Sequence, residues 1–485
     1  MKFQNTLTGQ KEPFVPHQEG KVKLYVCGIT AYDYCHLGHA RAAVVFDVLV
    51  RFLRFSGYEV LFIRNFTDVD DKIINRAKES NLSSQEVAER FIAAYYEDME
   101  RLGVLPADVE PRATEHIQVM QNLIQKLIDT GHAYATPAGD VYFRVRSFPD
   151  YGRLSGRNIE ELKSGVRIEP GEDKEDPLDF ALWKKSGPDV PSWPSPWGDG
   201  RPGWHIECSA MSEKYLGLPL DIHGGGQDLA FPHHENERAQ SEAASGMTFV
   251  RYWLHNGFVR VNQEKMAKSL GNFITIRDIM QEYLPEVLRF FLLGKHYRSP
   301  LDFTWERLQE SERGFKRLLE TAWQTGQALE NQKWSATNLP EEIDREFRTA
   351  AGLWRESLED DLNTAAALGH LFSMNRLINR ILDQKKWRKS QQAGEIFSAF
   401  LDELETLGRI LGLPFADPER VLSSLRKSRA DRKNIDPAEV EKLIAKRQKA
   451  RQDKNFEQAD LIRNQLVQMG VALRDTPSGP VWEVE

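Results

Sequence analysis

Cysteine is scarce in this 485-residue chain, and long apolar runs are missing. The three cysteines, Cys27, Cys35 and Cys208, are too few for a disulfide framework, so we expect a reducing compartment. No apolar run approaches the length of a membrane span, and the first residues lack the charged and then apolar order of a signal peptide. We therefore predict a cytoplasmic protein with no membrane partner.

A surplus of positive charge is also missing. The net charge of −8 argues against a surface that binds nucleic acid everywhere. The balance is uneven, however, because eleven Lys or Arg stand against five Asp or Glu between Leu425 and Lys454. A basic segment on an acidic protein favours a defined docking site for a polyanion. The chain has no internal repeat, and its length predicts about three domains.

The chain begins with the pattern of a strand, a loop and a helix. Val22, Leu24 and Val26 alternate as in a strand, and helical spacing then continues to about Ser56. A second buried strand at Glu59–Arg64 completes a βαβ unit. We predict an α/β fold with a parallel sheet, whose carboxyl edge is where such folds bind ligands.

The loop of this unit reads His36-Leu-Gly-His39 at the predicted helix start. Free N–H groups there favour phosphate, and Gly38 lets a base or phosphate approach the backbone. Taken alone, the tetrapeptide favours a helix-capping turn with two solvated histidines. Far downstream, Glu264-Lys-Met-Ala-Lys-Ser-Leu-Gly-Asn272 places Lys265 and Lys268 three apart on a glycine-terminated loop, which suits a polyphosphate whose charge rearranges during reaction.

The two segments together resemble the paired signatures of class I aminoacyl-tRNA synthetases, HIGH and KMSKS. This chain reads HLGH and KMAKS, which departs from the family at one position in each. Leu37 keeps an apolar side chain, whereas Ala267 removes a hydroxyl. We therefore expect loop closure to be tuned differently in this chain.

A candidate metal site depends on two cysteines and one His-x-x-x-Glu pair. His233 and Glu237 are four apart in a predicted helix and so share a face, although such a pair is more often a surface hydrogen bond. Cys27 ends the first strand, and we expect Cys208 to lie at another strand end. The four can converge as a tetrahedral zinc shell, which Co²⁺ or Fe²⁺ could occupy outside a cell. Otherwise the two cysteines are small buried hydrophobes.

An insertion is predicted between the two halves of the sheet. Alternation of period two runs from Ala133 to Ser147, and the fifty residues after it are rich in Gly, Pro and charge. The aromatic stretch Trp183–Trp204 is either a lid over the substrate or a rigid surface loop that covers a hydrophobic edge. Gly224–Gly226 indicates either a close approach to a nucleotide or a tight turn. From Thr275 to about Ala399 the helical pattern predicts a bundle.

The resemblance narrows to the cysteinyl-tRNA synthetase family and covers nearly the whole chain. The segments that carry it are Tyr25–Thr30, Asn65–Lys72, Ser192–Trp197, Pro202–Ser209, Asp221–Gly226 and Phe231–Glu237. The family implies a Rossmann-like parallel-sheet catalytic domain with an inserted connective segment, followed by a helical bundle and a small C-terminal anticodon-binding domain. It also implies ATP-dependent ligation of L-cysteine to tRNA(Cys) through a cysteinyl-adenylate, with zinc selecting the substrate thiol.

The resemblance also implies the site residues. One Zn²⁺ per chain would be held by Cys27, Cys208, His233 and Glu237. The catalytic residues would be His36, His39, Lys265 and Lys268, with Mg²⁺ accompanying ATP. Contacts to ATP would come from His36, Gly38, His39, Gly224, Gly225, His234 and Lys268. The cysteine pocket would be lined by Cys27, Thr67, Trp204 and His223. His234 is expected to point away from the metal, and Cys35 to be structural.

The tail after residue 420 has a basic face beside two aromatic residues, as phosphate contacts and base stacking require. The alternative is a solvated charged helix. Similarity to the family's anticodon module indicates the candidate readers Arg451, Phe456, Asp460, Arg463, Asp475 and Trp482.

The family implies a division of the chain into successive parts. The predicted bounds are 1–110 and 200–255 for the two catalytic halves, 111–199 for the insertion, 256–308 for the stem-contact region, 309–415 for the bundle and 420–485 for the anticodon-binding domain. We expect a monomer.

Two rival functions are weighed against the synthetase. A cysteine ligase of mycothiol synthesis resembles the catalytic half, but it joins cysteine to an amino sugar and lacks the tail. A non-catalytic RNA-binding paralogue would have lost the active-site histidines or lysines, and all four are present. The retained tail and the four residues favour the synthetase.

Overall fold

The computed structural model describes residues 1–158, 173–187, 190–266, 272–331, 334–476 and 479–484. The strands in chain order are β1 Lys2–Asn5, β2 Gln10–Pro13, β3 Lys21–Val26, β4 Glu59–Arg64, β5 Ala133–Ala135, β6 Val141–Phe143, β7 Phe180–Lys185, β8 Gly200–Pro202, β9 Leu220–Gly226, β10 Val250–Asn256, β11 Val259–Val261, β12 Glu264–Lys265, β13 Leu301–Phe303, β14 Val471–Thr476 and β15 Gly479–Val484.

The helices of the described residues alternate with these strands as far as residue 303 and dominate the chain after it. They are α1 Leu37–Phe55, α2 Asp71–Ser80, α3 Ser84–Arg101, α4 Ile117–Asp129, α5 Trp204–Leu216, α6 Glu235–Ser245, α7 Ile276–Glu282, α8 Pro285–Leu293, α9 Trp305–Asn331, α10 Glu341–Glu359, α11 Thr364–Asp383, α12 Gln391–Leu411, α13 Pro418–Arg432, α14 Pro437–Gln452 and α15 Phe456–Gln468. None of these helices is long and apolar enough to cross a membrane.

The predicted parallel sheet is confirmed and runs in the order β10–β9–β3–β4, with every pair parallel. Helix α1 connects β3 to β4 on one side of β3, whereas β9 lies on its other side. The chain therefore changes direction between β3 and β9, and an open α/β sheet binds ligands in the crevice at such a point. Cys27 follows β3 there, and its N–H donates to the carbonyl of Gly224 at 3.3 Å.

The three glycines Gly224–Gly226 form the last residues of β9, so the tight-turn alternative is wrong. A Cβ on Gly224 would lie 2.2 Å from the ring of Phe46 on α1, and one on Gly225 would lie 3.0 Å from Cε1 of His234. Glycine at these two positions thus lets α1 and His234 pack directly on the sheet. Their contact with a nucleotide stays a prediction.

The insertion contains an antiparallel sheet in the order β5–β6–β7–β8. Trp183 is fully buried in it, and Trp197 packs on Trp183 edge to face with ring centroids 6.0 Å apart. Trp193 pairs with Gly200 through backbone hydrogen bonds. The described part of the aromatic stretch is therefore ordered by packing, which fits both a lid and a loop that covers a hydrophobic edge.

The helical pattern from Thr275 begins with the predicted capping box, in which Thr275 and Asp278 bond each other's backbone N–H groups. It continues past residue 399, because α12 ends at Leu411. One large core extends from the parallel sheet through the bundle and includes Val421 and Leu425 of α13. Another core lies between the parallel sheet, α4, α5 and the insertion, and it includes Trp183 and Cys208. A third, small core begins at Ala430 and is built by α14, α15 and the β14–β15 hairpin.

Candidate metal and nucleotide site

The four predicted metal ligands converge at the carboxyl edge of the sheet. Cys27 follows β3, and His233 lies in the irregular turn Ala230–His234, which precedes α6, the helix that carries Glu237. Cys208, however, lies inside α5, so its expected place at a strand end is wrong. Nearly every residue of α5 around Cys208 is buried, and a helix buried all round carries no amphipathic pattern.

The donor atoms form one compact group. The Sγ of Cys27 lies 3.6 Å from the Sγ of Cys208 and 3.3 Å from Oε1 of Glu237. Nε2 of His233 lies 3.0 Å from the same Oε1, and all four donor atoms lie within 4.8 Å of one another. Two thiols, an imidazole and a carboxylate are a donor set that suits zinc. Cys27 alone is partly exposed, so the group is open on its side.

The charges of this group also fit a bound cation. Burial, then the neighbouring Cys208 and then Glu237 hold the pKa of the Cys27 thiol well above its usual value. Burial also lowers the pKa of His233 far below its usual value, which keeps the imidazole neutral, as a metal ligand must be. A divalent cation would offset both the desolvation and the repulsion that keep the thiols protonated.

His234 belongs to the same cluster, and the expectation that it points away from the metal donors is wrong. Its Nε2 lies 3.4 Å from Cys27 Sγ and 3.9 Å from Oε1 of Glu237. Together with His223 these residues make a second possible donor set that shares Cys27 and Glu237 with the first. The second set has a single thiol, so the first fits zinc better. Contact of His234 with ATP stays a prediction.

The residues predicted for the cysteine pocket surround the donors. Trp204 stacks on the ring of His233, with centroids 4.2 Å apart. His223 places Nε2 2.8 Å from Oε2 of Glu237. The hydroxyl of Thr67 donates to Oε2 of Glu207 at 2.7 Å. Glu207 was missed by sequence reasoning, because its role depends on a partner that is distant in the sequence.

His205 was missed for the same reason. Its Nδ1 lies 2.9 Å from Nδ1 of the predicted ligand His233. Burial lowers the pKa of His205 to about 3, with a smaller contribution from Lys184. The signal that could have pointed to His205 is its position directly after Trp204, a residue already predicted for the cysteine pocket.

The HLGH turn begins α1 in the predicted way. Nδ1 of His36 accepts from the N–H of Gly38 at 3.0 Å, and the rings of His36 and His39 stack 3.8 Å apart. Burial and then the charge of His36 and Lys72 hold the pKa of His39 well below its usual value. A neutral His39 can still donate a hydrogen bond to a phosphate oxygen.

The residues that follow the segment Glu264–Asn272 contact this turn. Phe273 packs edge to face on His36, with centroids 5.3 Å apart, and the N–H of Ile276 donates to the carbonyl of Cys35 at 3.0 Å. On the other side, the backbone of Lys265 pairs with Arg260. Ala267 and the predicted catalytic Lys268 lie outside the described residues.

The residues predicted to read the anticodon differ in their exposure to solvent. Phe456 is 63% exposed at the start of α15, and Arg451, Asp460 and Arg463 are exposed as well. Trp482 is buried in the small core, where its Nε1 donates to Oε1 of Glu441 at 2.6 Å. Its prediction as a stacking surface for a base is therefore wrong, since its ring serves the core. The side chain of Asp475 lies outside the described residues.

Comparison with protein families matches three models along the chain. Residues 13–313 match the tRNA synthetases class I (C) catalytic domain, residues 354–416 the DALR domain, and residues 437–482 the cysteinyl-tRNA ligase anticodon binding domain. The catalytic model alone covers more than half of the chain.

Curated relatives align over the whole length. The chain is 61% identical to a cysteine–tRNA ligase of Nitratidesulfovibrio vulgaris and 58% identical to one of Maridesulfovibrio salexigens, with 100% of both chains covered in each case. Among solved structures, a Mycobacterium tuberculosis methionyl-tRNA synthetase in complex with methionyl-adenylate superposes with a TM-score of 0.62 at 18% identity. That match covers 86% of this chain and 94% of the other, and it concerns the fold alone.

Proposed function

The chain belongs to the cysteine–tRNA ligase family of class I synthetases, and from this premise we propose that it joins L-cysteine to tRNA(Cys) through a cysteinyl-adenylate, with a zinc ion selecting the thiol. The carboxylate of cysteine would attack the α-phosphate of ATP and release pyrophosphate. The terminal ribose of the tRNA would then take the cysteinyl group from the adenylate. Neither step needs a protein nucleophile, so the protein contributes position and charge.

The single observation that carries the proposal is the convergence of two thiols, one imidazole and one carboxylate at the ligand-binding edge of the sheet. Cys27, Cys208, His233 and Glu237 would hold the ion. Bound zinc would supply a Lewis-acidic site that prefers a thiolate to an alcohol. Such a preference is needed because serine is nearly isosteric with cysteine, and pocket shape rejects an isostere poorly.

The other residues around the donors would orient the amino acid. Trp204 covers one face of the ring of His233, and Thr67 bonds Glu207, the neighbour of Cys208. Because Thr67 donates its hydroxyl hydrogen to Glu207, its oxygen remains an acceptor for the ammonium group of cysteine. His223 bonds Glu237 and holds that carboxylate in place.

The phosphates would lie at the HLGH turn. His36 fixes the turn by capping α1, and neutral His39 would donate to an oxygen of the triphosphate. Lys265 and Lys268 would follow the charge that develops as pyrophosphate leaves, with Mg²⁺ sharing that charge. We also propose that the enzyme acts in the cytoplasm and as a monomer, since one chain supplies all four metal donors.

Three measurements on the purified protein test the proposal. We expect one zinc per chain by elemental analysis, pyrophosphate exchange into ATP that depends on cysteine and not on serine, and charging of a tRNA(Cys) transcript. Exchange without charging, together with transfer to an amino sugar, would favour the mycothiol-type ligase. Absence of cysteine-dependent exchange would contradict both enzyme functions. Equal exchange with cysteine and serine would contradict the selective role of the metal.

A further inference from the structure

His233 uses its two ring nitrogens for different neighbours. Its Nε2 faces the donor group and lies 3.0 Å from Oε1 of Glu237. Its Nδ1 lies 2.9 Å from Nδ1 of His205, a hydrogen-bond distance between two nitrogens of the same kind. His233 is 1% exposed, so its Nδ1 is shielded from solvent and has His205 as its hydrogen-bond partner.

A hydrogen bond between two Nδ1 atoms fixes both tautomers. A neutral imidazole carries its hydrogen on one nitrogen and offers a lone pair on the other. If Nε2 of His233 presents its lone pair to a metal ion, its hydrogen must be on Nδ1. That hydrogen is then donated to His205, whose Nδ1 accepts and whose own hydrogen is on Nε2.

We propose that His205 is a positioning residue that sets the tautomer and ring orientation of His233, so that Nε2 of His233 is presented to the metal ion. The inference rests on the zinc site of the proposed function. Metal-bound histidines commonly donate their second N–H to an oxygen acceptor, which fixes the ring and raises its basicity. In this chain the acceptor is another imidazole.

The surroundings hold His205 in place for this role. Its ring packs edge to face on Phe180, with centroids 5.6 Å apart, and its backbone carbonyl accepts from Nε2 of Gln240 at 3.0 Å. Trp204 precedes His205 in the chain, and its ring stacks on the ring of His233 with centroids 4.2 Å apart. Cys208 follows three residues later on the same helix. The first two turns of α5 therefore supply a metal donor, a ring that covers His233 and an acceptor that orients it.

Two substitutions separate orientation from packing. His205→Leu removes the acceptor and keeps an apolar side chain. His205→Asn places Oδ1 the same number of bonds from Cα as Nδ1, so it can accept from His233. We expect the leucine variant to lose zinc affinity by about 10- to 100-fold and the asparagine variant to stay within about threefold of the parent. Competition with a chromophoric chelator measures both affinities without recourse to enzyme activity.

His116, just before α4, provides a matched control outside both donor sets. It is a buried histidine whose Nδ1 lies 2.7 Å from the carbonyl of Arg112 and whose Nε2 lies 2.9 Å from the hydroxyl of Tyr215. Because it belongs to neither donor set, His116→Asn should leave zinc affinity unchanged. A thermal melt of each variant records any loss of folding that is unrelated to the metal.

The results also distinguish this inference from the proposed function. A parent protein that holds no zinc would contradict the metal site itself. A parent that holds zinc, with a His205→Leu variant of equal affinity, would overturn the role of His205 alone. Equal losses in the leucine and asparagine variants would also overturn it, because they would show that ring volume and not the acceptor matters. A changed visible spectrum of the Co²⁺-loaded leucine variant, restored by asparagine, would support it.

Discussion

The two ends of the candidate site are built differently. At the thiol end, donors from three segments of the chain contact one another directly, and Glu237 and His233 are each held by a further histidine. At the phosphate end, the two histidines of the turn stack on each other, and Phe273, which follows the second signature in the chain, packs on His36. The thiol end suits recognition of the ground state, whereas the phosphate end suits charge that develops during reaction.

The largest effect is expected from Cys208→Ser at the thiol end. A hydroxyl stays protonated at neutral pH and ligates zinc poorly. If the four ligands share a binding free energy of about 10 to 16 kcal/mol, the loss of one weakens metal affinity by roughly 100- to 1,000-fold. We expect both the zinc content and cysteine-dependent pyrophosphate exchange to fall, with selectivity against serine falling as well.

This variant also separates the two donor sets. Cys208 belongs only to the set with His233, so retention of full zinc in Cys208→Ser would move the metal to the set with His223 and His234. Full selectivity against serine in a metal-free Cys208→Ser protein would contradict any role of the metal in selection. On one sample, elemental analysis shows whether zinc is retained, and pyrophosphate exchange with cysteine and with serine shows whether selectivity is retained.

The next effect in size is expected at the phosphate end. Lys268→Ala should lower the rate of adenylate formation by roughly 100-fold or more while the Kd for cysteine changes little, since a charge used in the transition state affects rate more than binding. Single-turnover kinetics and equilibrium titration with cysteine measure the two quantities. A Kd that rises in step with the loss of rate would contradict the difference between the two ends.

The difference between the ends also explains what could be predicted from the sequence. The strand, loop and helix around His36 depend on local periodicity, and the structure confirms them. It also confirms the contact of His233 with Glu237, although His233 lies in the irregular turn before α6 and not in the same helix. Helix α5 was missed because most of its surface is buried, which leaves no amphipathic pattern. His205 and Glu207 lie on that helix, and their roles depend on partners 28 and 140 positions away. Local pattern carries no information on such contacts.

In the tail, a residue was predicted for binding that the structure places in a core. The composition of the tail is basic and polar, which favours base stacking by Trp482. The structure shows a separate small core, in which Trp482 packs with Val440 and Leu466. A few apolar residues spread over about fifty positions form that core only after α14, α15 and the hairpin have come together. Exposure of an aromatic residue therefore depends on tertiary structure that composition does not describe.

A smaller effect on activation, with a large one on charging, is expected when the tail is removed. The cut belongs after Asn434 and not at Val421, because Val421 packs in the large core and Arg432 of α13 pairs with the buried Glu312. Without residues 435–485, pyrophosphate exchange should stay within about twofold, while tRNA charging falls by one order of magnitude or more and loses its steep dependence on salt. Equal losses of exchange and charging would contradict separate sites.

The smallest effect on activity is expected from Cys35→Ser, which makes the same chemical change as Cys208→Ser outside the metal cluster. Cys35 is 2% exposed and lies in the large core next to the HLGH turn, and it belongs to neither donor set. Its hydroxyl would be buried among apolar groups, so the free energy of unfolding should fall by about 1 to 3 kcal/mol. Zinc content and exchange rate should stay within about twofold of the parent, as thermal unfolding, elemental analysis and exchange assays can establish. Loss of zinc from Cys35→Ser would mean that thiols in this half of the chain matter for folding and not for ligation, and it would remove the contrast on which the assignment of Cys208 depends.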